Sequence, residues 1–100
     1  LVGDDERLIR KFELDFLKQA KPSFEKIVQL FNAGQLPAIK DEAHFLKTSA
    51  KAIGAEQTAE LLQTLESMSL DSNKSACKDL IVELNQSIKL VYAEVINGNK

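Results

Sequence analysis

The chain is poor in the residues that most often carry chemistry. It has one cysteine and one histidine in 100 residues, so it cannot close an intramolecular disulfide or assemble a zinc site from several Cys and His ligands. A lone cysteine fits a reducing compartment, and a cytoplasmic location is the expectation. Arginine is confined to Arg7 and Arg10, and the formal net charge is −2, which argues against a nucleic-acid partner. No apolar run approaches the roughly 20 residues that span a bilayer, and no signal-peptide pattern opens the chain, so this segment is not expected to enter a membrane. There is no glycine-rich phosphate loop and no Gly-x-Ser-x-Gly elbow. The first residue is Leu1 rather than a methionine, which suggests a segment of something longer.

What the chain does have is the composition of an ordinary globular protein. It is 44% hydrophobic and 28% charged, enough apolar material for one core and too much for disorder. No repeat, linker or low-complexity tract divides residues 1–100, so one domain is expected. Glycine and proline stand where helices would end, and no stretch alternates with period two, which reads as all-α.

The first helix is expected after Asp4, Asp5 and Glu6, whose carboxylates suit a helix N-terminus. Leu8, Phe12 and Phe16 share its inward face with Ile9, whereas Leu14 and Leu17 fall on another side. Pro22 predicts a boundary, because its missing N–H is harmless only in a first helical turn. A second helix then carries Phe24, Ile27, Val28 and Phe31 inward and stops at Asn32, Ala33 and Gly34. A third starts near Gln35 to Pro37 and ends around Gly54; Leu36, Ile39, Ala43, Leu46, Ala50 and Ile53 form its seam. A fourth buries Ala59, Leu62, Leu65 and Met68, with a turn over residues 69–73. The last and longest presents Cys77, Leu80, Ile81, Leu84, Ile88, Val91, Tyr92 and Val95, and Asn97, Gly98 and Asn99 end it. Cys77 therefore reads as a small core residue rather than a reactive thiol. Short connections favour antiparallel neighbours. The expected fold is an up-and-down antiparallel four-helix bundle with an additional N-terminal helix.

His44 is the one sharp chemical signal. At about 100° per residue it lies roughly 130° from the centre of the third helix's seam, and so in solvent. Lys40, Lys47, Thr48 and Lys51 are its i−4, i+3, i+4 and i+7 neighbours and share its outer sector. Ammonium groups nearby disfavour imidazolium, which keeps the ring a neutral nucleophile, and they would steady a phosphoryl group placed on it. That combination suits a phosphoryl carrier better than a hydrolase, which needs a positioned water or a metal. Spacing alone leaves the bland reading open, since an exposed helical histidine among lysines is more often incidental. The paired acids Asp4–Asp5 and Asp41–Glu42 sit at helix starts, where the dipole explains them.

The segment Ala43-His44-x-x-Lys47, followed by Ser49-Ala50 and Ile53-Gly54-Ala55, resembles the signature of histidine-containing phosphotransfer (HPt) domains. Phe12 and Phe16, the Pro22 helix start, Leu65-Glu66 at the end of the fourth helix and the long last helix extend the likeness over nearly the whole chain. The resemblance implies a helical bundle that accepts a phosphoryl group on His44 from a receiver-domain aspartate and passes it to another receiver. It implies no autonomous kinase or phosphatase activity and no cofactor bound by this chain; Mg2+ is expected in the partner receiver. Whether the chain is a free shuttle or part of a hybrid kinase is left open.

By the same resemblance, His44 is phosphorylated on Nε2 and Lys47 contacts the phosphoryl oxygens. Glu66 accepts a hydrogen bond from Nδ1–H and fixes the tautomer, and Gly54 permits close helix approach. Lys40, Thr48, Lys51, Phe45, Leu14 and Leu17 are expected on the phosphoryl or docking face. Two positions depart from the family pattern. Thr48 stands where glycine is usual, and Lys51 where a small residue is common. A non-phosphorylated docking module for receiver domains is therefore the alternative reading.

Overall fold

The first three helices each end where the backbone is turned by a left-handed residue. The computed structural model describes residues 2–97, with side chains from Glu6 onward. It contains α1 (Val2–Asn32), α2 (Leu36–Ala52), α3 (Glu56–Leu70) and α4 (Lys74–Asn97). After α1, Gly34 adopts φ +74, and the Gly34 and Gln35 amides donate to the Phe31 and Leu30 carbonyls. After α2, Gly54 adopts φ +73, and the Gly54 and Ala55 amides donate to Lys51 and Ala50. After α3, Ser72 at φ 53 takes the same role, its amide and that of Asn73 donating to Ser69 and Met68. All three are Schellman closures, which satisfy carbonyls that a helix end leaves orphaned. Asn73 then starts α4, its Oδ1 accepting from the Ala76 amide at 3.1 Å.

Pro22 does not break the chain. It lies inside α1, which runs 31 residues without interruption, so the expected N-terminal helix and the helix after it are one. Phe16, Ala20, Ser23 and Ile27 are all buried and spaced four, three and four residues apart across the proline. Pro22 itself is exposed, so the carbonyl that its ring orphans can turn to water. Packing along one continuous seam outweighs the roughly 3 kcal/mol that a helix-interior proline costs. The fold is otherwise the expected four-helix bundle. The helix also begins at Val2 rather than after Glu6, and α3 continues to Leu70 rather than turning at Ser69. Gly98 and Asn99 lie outside the described residues.

Side-chain pairings set the topology. Ser49 Oγ donates to Gln19 and Ser23 Oγ to Glu42, which runs α2 antiparallel to α1. Arg10 donates to the Val95 carbonyl at 2.9 Å, and the Lys74 ammonium lies over the Phe31 ring, which runs α4 antiparallel to α1. Thr58 and Ser87 bond hydroxyl to hydroxyl between α3 and α4. The shared core includes Phe16, Ile27, Ile39, Leu46, Leu62, Leu65, Cys77 and Leu84, all fully buried. Burial pushes the Cys77 thiol up, which leaves it un-ionised and inert.

Several apolar residues expected inside are exposed instead. Leu8, Ile9 and Phe12 lie on α1 beyond the end of α2, where α4 is the helix beside it, held by the Arg10–Val95 bond. Tyr92 is turned to the outer side of the α1–α4 junction, beside Lys21 and Phe24.

Candidate functional site

His44 stands on α2 at the edge facing α3. Ala43, Leu46 and Ala50 are fully buried, which fixes α2 against the core and turns position 44 outward. Its side chain is 60% exposed. Nδ1 lies 3.3 Å from Oε1 of Glu66, which reaches across from α3. A carboxylate at Nδ1 favours the tautomer with hydrogen there, and the lone pair then resides on Nε2.

Lys47 is not the solvent-facing lysine that its spacing predicts. Only 10% of its side chain is exposed, and its ammonium is held in the groove between α2 and α3. It lies about 70° from the seam centre, much nearer than His44, so its stem follows the core edge. Nζ sits 2.7 Å from Glu66 Oε2 and donates to Gln63 Oε1 at 2.8 Å. Oε2 is buried, and the Lys47 ammonium is the charge that faces it. Burial alone would raise the Glu66 carboxyl, but Lys47 first and His44 second outweigh it and hold the group below the usual carboxylate range. The carboxylate is therefore ionised at neutral pH.

The positive field expected around His44 is thus weaker than a simple count of lysines implies. Lys47 is matched by Glu66, and Lys40 lies 3.7 Å from the Asp41 carboxylate. Lys51 is exposed, and with Gly54, Glu60 and Gln63 it lines a shallow groove beside the Lys47 pair. Thr48 is exposed, and its hydroxyl donates back to the His44 carbonyl at 3.2 Å. Phe45 is 50% exposed.

Leu14 and Leu17 are not brought to this edge. On α1 it is Gln19 and Ser23 that face α2. Leu17 lines a cleft with Phe24, Ile88 and Tyr92 toward α4, and Leu14 shares a groove with Arg7, Lys11 and Lys18 on α1 alone. Gly54 also has a different role from the one expected. A Cβ there would meet nothing within 4 Å, so its positive φ, not a close approach of helices, is what calls for glycine. Gln63 is the residue that sequence reasoning missed. Its signal was its place one turn before Glu66 on the same flank of α3.

A model of the Hpt domain family matches residues 14–94. The chain belongs to the Hpt domain family. No curated protein and no solved structure gives a significant match. Hpt domains are phosphocarrier modules of two-component phosphorelays that interact with receiver domains. The matched span takes in α2, α3 and most of α1 and α4, and with them every residue of the His44 cluster. Among the described residues, no helix is long and apolar enough to cross a membrane, and no group of three or more His, Cys, Asp or Glu is placed to hold a metal ion.

Proposed function

We propose that this Hpt domain is a phosphorelay carrier that takes a phosphoryl group onto Nε2 of His44 from a receiver-domain aspartate and delivers it to another receiver. The observation that carries this reading is the exposed imidazole with Nδ1 3.3 Å from the Glu66 carboxylate. In the forward step the Nε2 lone pair forms the N–P bond as the O–P bond of the aspartyl phosphate breaks, and the aspartate leaves as a carboxylate. The ring keeps its Nδ1 proton and so becomes positively charged. Glu66 faces that charge directly, so its attraction grows as the bond forms. The return step is the reverse, with a second aspartate as nucleophile.

Lys47 would serve the phosphoryl oxygens while sharing its ammonium with Glu66 and Gln63. Glu66 thus orients the ring, and Lys47 compensates added negative charge. Phosphoryl transfer rests mainly on position and electrostatics. The receiver would contribute the acceptor carboxylate and Mg2+, while this chain contributes the nucleophile and a docking face around Phe45, Thr48, Lys40 and Lys51.

The test is incubation with phosphorylated receivers. The expected product is an acid-labile, alkali-stable phosphate on the wild-type chain and none on His44→Gln. Stable binding of receivers by both proteins without label on either would favour the docking-module reading. The specific observation behind that alternative is Thr48, whose hydroxyl is engaged with the backbone while its side chain adds bulk beside the ring.

A further inference from the structure

We propose that Gln63 is a positioning residue of the phosphoryl site, whose side-chain carbonyl orients the Lys47 ammonium beside the Glu66–His44 pair. The proposal deepens the carrier reading and rests on it.

Lysine is a long, flexible side chain with three N–H donors, and a carboxylate attracts it over a wide range of directions. Charge alone would hold Lys47 near Glu66 without fixing where its hydrogens point. Two acceptors on α3 hold the ammonium at short range. Glu66 Oε2 is buried and 2.7 Å from Nζ. Nζ also donates to Gln63 Oε1 at 2.8 Å. Gln63 and Glu66 stand one turn apart on α3, so the two acceptors flank Nζ.

The identity of the residue also matters. An amide carbonyl orients the ammonium without adding a negative charge. A carboxylate at position 63 would compete with the phosphoryl group for Lys47 and repel it. Without an acceptor at 63, Nζ is held by Glu66 alone and is free to swing away from the His44 flank.

The test uses phosphoramidate as a small donor, so that receiver docking plays no part. Its N–P bond breaks and ammonia leaves as the Nε2–P bond forms on His44. Gln63→Met keeps side-chain length and removes the strong acceptor. Its labelling rate should fall about tenfold, the order expected when a hydrogen bond to a charged group is lost. Gln63→Glu should fall at least as far. In a Lys47→Met background, Gln63→Met should have no further effect, because the influence passes through Lys47. In nitrogen-15 spectra the Lys47 ammonium signal should move in Gln63→Met while the backbone amides of α1 and α4 stay in place.

An unchanged or faster rate in Gln63→Met overturns the proposal, as does an equal loss with and without Lys47. Those results leave the carrier reading intact. Should the wild type take no label from either phosphoramidate or receivers, the carrier reading itself falls, and this proposal with it.

Discussion

Glu66 faces both the His44 imidazole and the Lys47 ammonium, and its ionisation links this cluster to stability. Its carboxyl is held below the usual carboxylate range, with burial opposing and Lys47 and His44 prevailing. A group whose folded pKa is depressed contributes stability above its unfolded pKa, and that contribution is lost as pH falls through the folded value. Denaturant titrations should therefore show the wild type weakening below the usual carboxylate range, and Glu66→Gln weakening less over that window. At neutral pH the same variant should be about 1–3 kcal/mol less stable, because the Lys47 ammonium stays in its groove without its counter-charge. Identical acid profiles for the two proteins would count against this role. Thr48 offers a separate prediction. Thr48→Gly should speed transfer between receiver and chain, because only a docking partner meets the branched side chain. Labelling by phosphoramidate should be unchanged, and a single-turnover comparison of the two donors measures both.

The helix ends supply the next scale. Three successive Schellman closures use two glycines and one serine at positive φ. A left-handed conformation costs a residue with a Cβ about 1–2 kcal/mol, so Gly54→Ala should lower stability by that much, although no side chain obstructs the site. Ser72→Gly should raise stability by about 0.5–1 kcal/mol, since the strain removed exceeds the entropy added to the unfolded chain. Thermal melts of the two variants should move in opposite directions. The closures after α1 and α2 were legible because glycine marks them; the one after α3 was placed only as a turn, because serine rarely adopts that geometry. Pro22 was misread for a related reason. A local rule about the missing N–H was applied, whereas the seam from Phe16 through Ala20 and Ser23 to Ile27 continues in step across it. The α2 seam from Leu36 to Ala50 was read correctly because that helix lies between two other helices, whereas Ile53 falls at its C-cap and is only partly buried. Lys47 was misplaced because helical angle alone does not distinguish a residue at the rim of a seam from one in solvent.

The four helices close a ring in which α1 and α4 lie side by side and the His44 cluster uses only α2 and α3. The cross-helix pairs Gln63–Lys47 and Glu66–His44 could not be seen in the sequence, since they depend on how α3 is registered against α2. The molecule is 46 Å long and about 20 Å across. At about 1.5 Å per residue, α1 alone accounts for that length. Its first turns project past the end of α2, leaving Leu8, Ile9 and Phe12 exposed, with Arg10 bonded to the last turn of α4. The bundle therefore contains two tiers of cooperativity. Amides of residues 7–12 should exchange with solvent through local opening of low free energy, while those of residues 24–30 exchange only on global unfolding. Native-state hydrogen exchange measures the difference, and uniform protection along α1 would show that the Arg10 anchor secures the whole helix. Fraying confined to that end leaves the α2–α3 edge folded, so the projecting turns can open and close without disturbing the contacts of His44, Lys47, Gln63 and Glu66.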